Sequence, residues 1–532
     1  MKKILLSALL VATISCAGTK KTVIMPTADV TDFQNTITEE GLFIDLNILA
    51  SDSLEGRDTG SEGERKAADY LAKRHAELGL APMGDNGTYF QNFELFQSTL
   101  NSVSYTLTVE NDIDQSVYNA EDIGNFTKVM GGNTKVEGGI IFVGHAESFI
   151  NGDIDLSNID LSKNWILSFF DESVSNIAEF QNLVIENGSL GSIVISSFDE
   201  ENYTLVAEVN QGIFNNPSKL ALSYLNADAP SFHTIHPELA TQLLGLNSIE
   251  ELIQLHTELQ VGNYQFEAYS INASLDYSPS VTTKTVESRN VVAFIEGTDP
   301  VLKDEVIILS AHYDHVGIGD ADANGDTIYN GADDDGSGTV GLLHTAQAFV
   351  TAKNAGAELK RSVLFLHVSG EEKGLFGSRY YSDHPVLSVE KTITNLNVDM
   401  IGRRDPENKD TPDYIYIIGG KLISSSLQNV LEEANQKSVN IELSDRYNDL
   451  NDPNQFYRRS DHWNFGRLGI PFIFYFNGTH ADYHKQSDEI DKIDFEALRK
   501  RTQLIFMTAA LLSNSETRPT VDNQDFILRT QQ

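Results

Sequence analysis

Five short segments of this chain carry residue types that bind and use divalent cations. His312 follows the apolar run VIILSA, in AHYDH, and Asp333, Asp334 and Asp335 stand together in NGADDDGSG. Glu371 and Glu372 follow SVLFLHVSG, Asp399 follows ITNLNV, and His484 lies in a loop beyond PFIFYF. Two imidazoles and three carboxylates suit hard-to-borderline divalent ions such as zinc. A carboxylate shared by two ions would hold them about 3.5–4 Å apart, the spacing of two-metal hydrolases. Asp314 stands two residues from His312, on the same face of an extended segment. There it could accept the second imidazole N–H and fix the tautomer. Each feature alone is ordinary. A run of Asp usually makes a solvated turn or a helix cap, and adjacent Glu residues are common on surfaces. Their joint order carries the reading.

The elements that must position these residues are strands alternating with helices. NVVAFIEG, VIILSA, SVLFLHVS, ITNLNV, YIYIIG and PFIFYF are buried-type strands. Helical patterns run over about 338–353, near Ser378, over 425–436 and over 495–512. This alternation predicts an α/β fold with a mostly parallel central sheet flanked by helices. Ligands bind beyond the carboxyl ends of such strands, where all five segments begin. Upstream, Ser61 and Glu64 have the spacing of a capping box, Ala67, Leu71 and Leu78 continue one apolar face, and Gly79 supplies the stop. Residues 98–285 differ in texture: short strand-like runs dominate, with one helical stretch over about 173–187. They read as an inserted β-rich domain in which His145, His233 and His236 are scattered as packed or surface side chains. Met400, beside Asp399, is placed to line a pocket for a substrate side chain, and His462 to support the site.

The order HYDH, GADDDGSG, SGEEKGLFGS, NVDMIG and YHKQSDE resembles the two-zinc exopeptidase family, which includes bacterial leucyl-type aminopeptidases and glutamate carboxypeptidases. LASDSLEGRDTGSEGERKAADYLA and SRNVVAFIEGTDP resemble its lead-in segments, and the insert looks like the protease-associated domain of such enzymes. The resemblance implies peptidase segments at 33–97 and 286–513 around the 98–285 insert, followed by a polar, frayed tail at 514–532. It implies two zinc ions per chain. His312 and Asp399 would hold one, Glu372 and His484 the other, and Asp334 would bridge them, with a cis peptide after it. Glu371 would be the general base that carries a proton to the leaving amine. The final motif departs from the family: His484 is followed by Lys485-Gln486-Ser487 where relatives often have Thr and Asp-Thr, which bears on substrate preference more than on activity.

Composition narrows the remaining choices. Lys+Arg is 38 and Asp+Glu 77, a net charge of −39, so nucleic acid and an anionic lipid surface are excluded as partners and a peptide substrate is the partner expected. The single cysteine, Cys16, excludes a disulfide framework and a cysteine-based zinc site. Lys2, Lys3 and the apolar run Ile4 to Ile14, ending in Ser15-Cys16, read as an export signal over 1–16 with a lipobox-like end, followed by a tether at 17–32. The expected location is the bacterial cell envelope, with a lipid on Cys16 as the sole membrane contact, and secretion as the alternative. Asp320, Asp322, Asn324, Gly325 and Asp326 begin like a structural calcium loop, but Gly331 stands where such a loop needs a bidentate Glu, so a hairpin is the simpler expectation. Three alternatives stay open: a carboxypeptidase on acidic dipeptides, for which Arg403, Arg404, Arg458 and Arg459 are available; one-zinc glutaminyl cyclisation, against which the complete ligand set argues; and a non-catalytic binding protein on the same scaffold. Oligomeric state is not legible.

Overall fold

The computed structural model describes residues 28–109, 118–119, 126–132, 134–171, 177–214, 220–222, 230–261, 266–409 and 413–530. Cys16 and its flanks lie outside these residues. Four parallel strands form the centre of the catalytic half, in the order Phe472–Phe476, Thr392–Val398, Val306–His312, Ser362–Val368. Tyr414–Gly419 closes one side antiparallel and Val291–Ile295 the other. Each central strand is apolar on both faces because helices cover both. Along Val306–His312, Ile307, Leu309 and Ala311 enter one core with helices Glu39–Leu49, Glu62–Leu78, Gly338–Asn354 and Phe495–Asn514. Val306 and Ile308 enter the other, with Tyr381 and Phe465.

The helix from Glu62 begins as its sequence requires. Ser61 Oγ accepts the Glu64 amide at 3.1 Å, and Gly79 ends the helix in the left-handed conformation. Glu64 reaches one residue further back than a standard box: its buried carboxylate accepts from Gly60 N at 2.8 Å and from Ser288 Oγ at 2.6 Å. Just before it, Arg57 is fully buried and donates to the carbonyls of Tyr313, Leu49, Asn330 and Gly331 at 2.5–3.0 Å. One planar guanidinium thus ties the N-terminal segment to two loops of the candidate site.

The insert has its strands and also more helix than its sequence texture predicts. Val136–His145, Trp165–Phe169, Gly191–Ile195 and Ser231–Ile235 form a parallel sheet. Helices Ile177–Glu186, Glu200–Phe214, Pro237–Leu243 and Ile249–Val261 accompany it. The reason is legible in retrospect: GGIIFVG, NWILSFF and GSIVIS are continuous apolar runs, the mark of strands buried on both faces rather than of alternating edge strands. Two cores fill this unit, one on each side of its sheet. It joins the catalytic half through a ribbon of two long antiparallel strands, Phe90–Val109 and Tyr269–Ile295, which pair from Phe90↔Val291 to Val109↔Ala273. The tail is also ordered: helix Gln524–Thr530 buries Phe526 against Phe472, with ring centroids 6.0 Å apart.

Candidate metal centre

The Asp triplet shows why three neighbouring carboxylates take different tasks. Asp333 is used by the scaffold, accepting from Gly402 N at 2.6 Å, Ser337 Oγ at 2.9 Å and His480 Nε2 at 3.1 Å. Asp335 likewise accepts the amides of Gly338, Met400 and His312 at 2.9–3.1 Å, fastening a helix start and two strand ends together. Glycine is required at 338, where a Cβ would lie 2.3 Å from the Asp335 carboxylate. Asp334 alone faces the cavity, its backbone held by the Asp488 carboxylate through the amides of Asp333 and Asp334. The Asp334–Asp335 peptide is cis.

Around Asp334 the site has two halves. Its Oδ1 lies 3.2 Å from His312 Nε2, which is also 3.6 Å from Asp399 Oδ1. Its Oδ2 lies 3.1 Å from His484 Nε2, which is 3.0 Å from Glu372 Oε2. Glu371 stands over the first half, Oε2 3.9 Å from His312 Nε2. It is aimed by Gly370, whose φ of +77° turns the chain sharply after strand Ser362–Val368. Ser460 donates to Asp399 Oδ2 at 2.6 Å, and Asn397 donates to Ser460 in turn. Asp314 serves by a different atom than expected. The His312 Nδ1–H meets the Asp314 carbonyl at 3.1 Å, while the carboxylate, 3.7 Å away, instead accepts from Thr59 Oγ1 at 2.8 Å and Glu371 N at 3.2 Å. Asp314 therefore orients the histidine and the loop of the proposed base together.

Sequence reasoning passed over His315. It is fully buried, with Nδ1 2.8 Å from Glu372 Oε1, so Glu372 is gripped by two imidazoles. The second histidine of HYDH was the available signal. His462 is no part of the site. It stacks between Phe472 and Phe474, and burial holds it neutral, its pKa lowered to about 3. The Asp320–Asp326 segment is a hairpin turn: Asp322 accepts the amides of Asn324 and Asp326 at 2.7 and 2.9 Å. Met400 is buried beside Asp399 and lines a small pocket of about 40 Å³, together with Phe456, Phe474, Phe476, Tyr483 and Arg459. A larger cavity of about 840 Å³ opens from Glu372 toward the ribbon, between Arg65 and Lys284.

The electrostatics are those of a cation site. Burial, with Asp399, Glu372 and Asp461 nearby, holds Glu371 well above the usual carboxylate range. Burial and the Asp334 charge oppose ionisation of Glu372, but hydrogen bonds from His315 and His484 outweigh them and bring it to about 2. Asp461 is fully buried, and burial pushes it up to about 7. So many buried carboxylates repel one another, and divalent cations relieve that repulsion. Asp334 Oδ2 is buried between His484 Nε2 at 3.1 Å and His315 Nδ1 at 3.8 Å, a carboxylate oxygen faced by two imidazoles. Two His-carboxylate groups around Asp334 have ligand atoms within 4.8 Å of one another, a set that fits zinc.

Residues 290–509 match the model of Peptidase family M28. Aminopeptidase Y of Saccharomyces cerevisiae is 24% identical over 361 residues, 65% of this chain and 62% of the yeast protein. Leucine aminopeptidase 2 of Arthroderma otae is 26% identical over 269 residues, 46% of this chain and 49% of that one. The chain thus spans about half to three-fifths of the length of these curated relatives. Among solved structures, an aminopeptidase from Aneurinibacillus sp. strain AM-1 aligns over 93% of this chain and 98% of its own, with a TM-score of 0.47 and 17% identity. The matched region contains His312, Asp334, Glu371, Glu372, Asp399 and His484, so the likeness to Peptidase family M28 falls on the centre built around Asp334.

Proposed function

We propose that this protein is a zinc aminopeptidase that removes N-terminal residues from peptides, with two zinc ions per chain. The observation that carries it is the division of Asp334: one oxygen faces His312 and Asp399, the other His484 and Glu372, with Glu371 beside the first half. In this reading His312 and Asp399 would hold one ion, His484 and Glu372 the other, and Asp334 would be shared by both. Zinc there would supply polarisation of the scissile carbonyl and acidification of a water. Glu371 is placed to hold a proton and pass it to the departing amine. Burial raises its proton affinity above that of an ordinary carboxylate, as a proton carrier requires. His315 and Asp314 hold Glu372 and Glu371 in place. The pocket of Met400, Phe456, Phe474 and Phe476 receives an apolar N-terminal side chain, and the larger cavity receives the departing peptide.

A carboxypeptidase for acidic dipeptides would need free cations at the side-chain pocket. Arg403 is paired with Asp482 and Arg404 with Asp494, both at 2.8 Å, which leaves Arg459, over the Phe456 ring, as the arginine of this set that lines the pocket. The test is a panel of aminoacyl amides with free and acetylated amines, beside dipeptides ending in Glu. Cleavage of free leucyl or phenylalanyl amides alone is expected; turnover of acetylated or acidic substrates instead would refute the aminopeptidase reading. We place the enzyme outside the cytoplasm, anchored by lipid on Cys16, a reading supported by the apolar run before the lone cysteine. No helix among the described residues is long and apolar enough to cross a membrane. C16S should move the protein from the membrane fraction to the soluble one.

A further inference from the structure

Far from Asp334 in sequence, the insert assembles a second group of metal-binding type. His145 ends strand Val136–His145, Asp171 follows strand Trp165–Phe169, and His256 lies on helix Ile249–Val261. The two strands are parallel neighbours, so their carboxyl ends deliver His145 and Asp171 to one edge, where the helix crosses. His145 Nε2 is 3.0 Å from Asp171 Oδ2, and His256 Nε2 is 3.0 Å from Oδ1 and 3.2 Å from Oδ2. Gln260, one turn on from His256, brings its amide to the same Oδ2. Both histidines are nearly buried, and His256 packs against Phe169 and Phe198 at 5.0 and 4.9 Å.

As hydrogen bonds alone this arrangement is crowded. Three nitrogen groups converge on one carboxylate, His145 and Gln260 at Oδ2 and His256 straddling both oxygens. A divalent ion resolves the crowding, because each imidazole then offers a lone pair rather than a proton. The Gln260 amide can turn to present its oxygen, since its two ends are interchangeable in shape. His145 would give up a long contact, 3.3 Å, from Glu147 N to its Nδ1, which must carry the proton when Nε2 coordinates. We propose that His145, Asp171 and His256 form a separate zinc-type site in the insert that clamps helix Ile249–Val261 onto the strand edge. Two imidazoles, one carboxylate and a fourth position open to Gln260 or water suit zinc or a similar borderline ion. This site shares no residue with the centre around Asp334, so the proposal stands apart from the aminopeptidase reading.

The test counts zinc in full-length protein after chelation, reloading with zinc and gel filtration. Wild type should retain about one more zinc per chain than H256Q, with cleavage of aminoacyl amides unchanged in the variant. Equal zinc in two folded proteins overturns the site and leaves only a hydrogen-bonded clasp. Where H256Q fails to fold, hydrogen–deuterium exchange of the wild type decides. Zinc should slow exchange in peptides covering 140–150 and 249–261, and no slowing there overturns the proposal.

Discussion

Glu371 and Glu372 are neighbours in the chain but have different surroundings, and substitution should separate them. E372Q removes a charged ligand held by His315 and His484, so it should lose zinc and activity together. E371Q keeps every proposed ligand and should keep the zinc of the wild type. It loses the proton carrier, with kcat falling about 10²–10⁴-fold and KM little changed. Zinc analysis beside steady-state kinetics checks both, and a swap of the two phenotypes would reverse the assignments. These side chains were legible because their types, order and positions after apolar strands are all written locally. What was not legible is which atom does the work. Asp314 orients His312 through a main-chain carbonyl that any residue would provide, while its carboxylate turns to Thr59 and Glu371, 255 and 57 residues away. The His145–Asp171–His256 group was invisible for the same reason: 85 residues separate Asp171 from His256, and only the parallel sheet of the insert joins them.

Two buried charges show how elements are locked around the centre. Asp45, on helix Glu39–Leu49, accepts from Arg74 and Tyr70, which flank the adjoining helix face, and from His344 at 2.9 Å on helix Gly338–Asn354. Burial opposes its charge, but hydrogen bonds from His344, Arg74 and Tyr70 prevail and lower its pKa from 3.8 to about 2. A depressed carboxylate stabilises the fold above its unfolded value and loses that contribution as pH falls. D45N should therefore cost about 2 kcal/mol at pH 7. Thermal unfolding should show the gap to wild type closing between pH 3.8 and about 2. Arg57 is the second case. R57K keeps the charge but not the planar fork, stranding buried carbonyls of Tyr313, Asn330 and Gly331 beside the metal-binding loops. A loss of about 1–3 kcal/mol in stability is expected from the unsatisfied carbonyls, together with weaker zinc retention. Unchanged Tm and zinc content would show that the fork is dispensable. Helix positions and the central sheet were readable from period and caps. The stretch over 173–187 anticipated helix Ile177–Glu186, but Glu200–Phe214, Pro237–Leu243 and Ile249–Val261 were missed because the strands drew attention as β-texture, although their unbroken apolar runs already implied two covered faces.

At the scale of the whole molecule, the ribbon that joins the two halves offers a clean cut. Gln97 pairs with Lys284, so the chain ends left by removing 98–283 are already neighbours and an Asn-Gly turn can close them. All residues placed around Asp334 lie outside the excised segment. The shortened protein should keep the zinc held there and lose the zinc assigned to His145, Asp171 and His256. It should also melt lower, because Leu95 loses its strand partner Leu222. Zinc content and Tm of the purified product check this; a folded product without any zinc would place essential ligands in the insert. The same ribbon also sets the order of events during synthesis. Gln91 reaches its side-chain partner Asn290 only after 199 further residues have been made, an interval of about 10–40 s at ordinary ribosomal speed of roughly 5–20 residues per second. Throughout that interval Phe93 lacks its strand partner Ser288. The insert, complete while the catalytic half is still half-written, folds first and carries one side of the ribbon to the other.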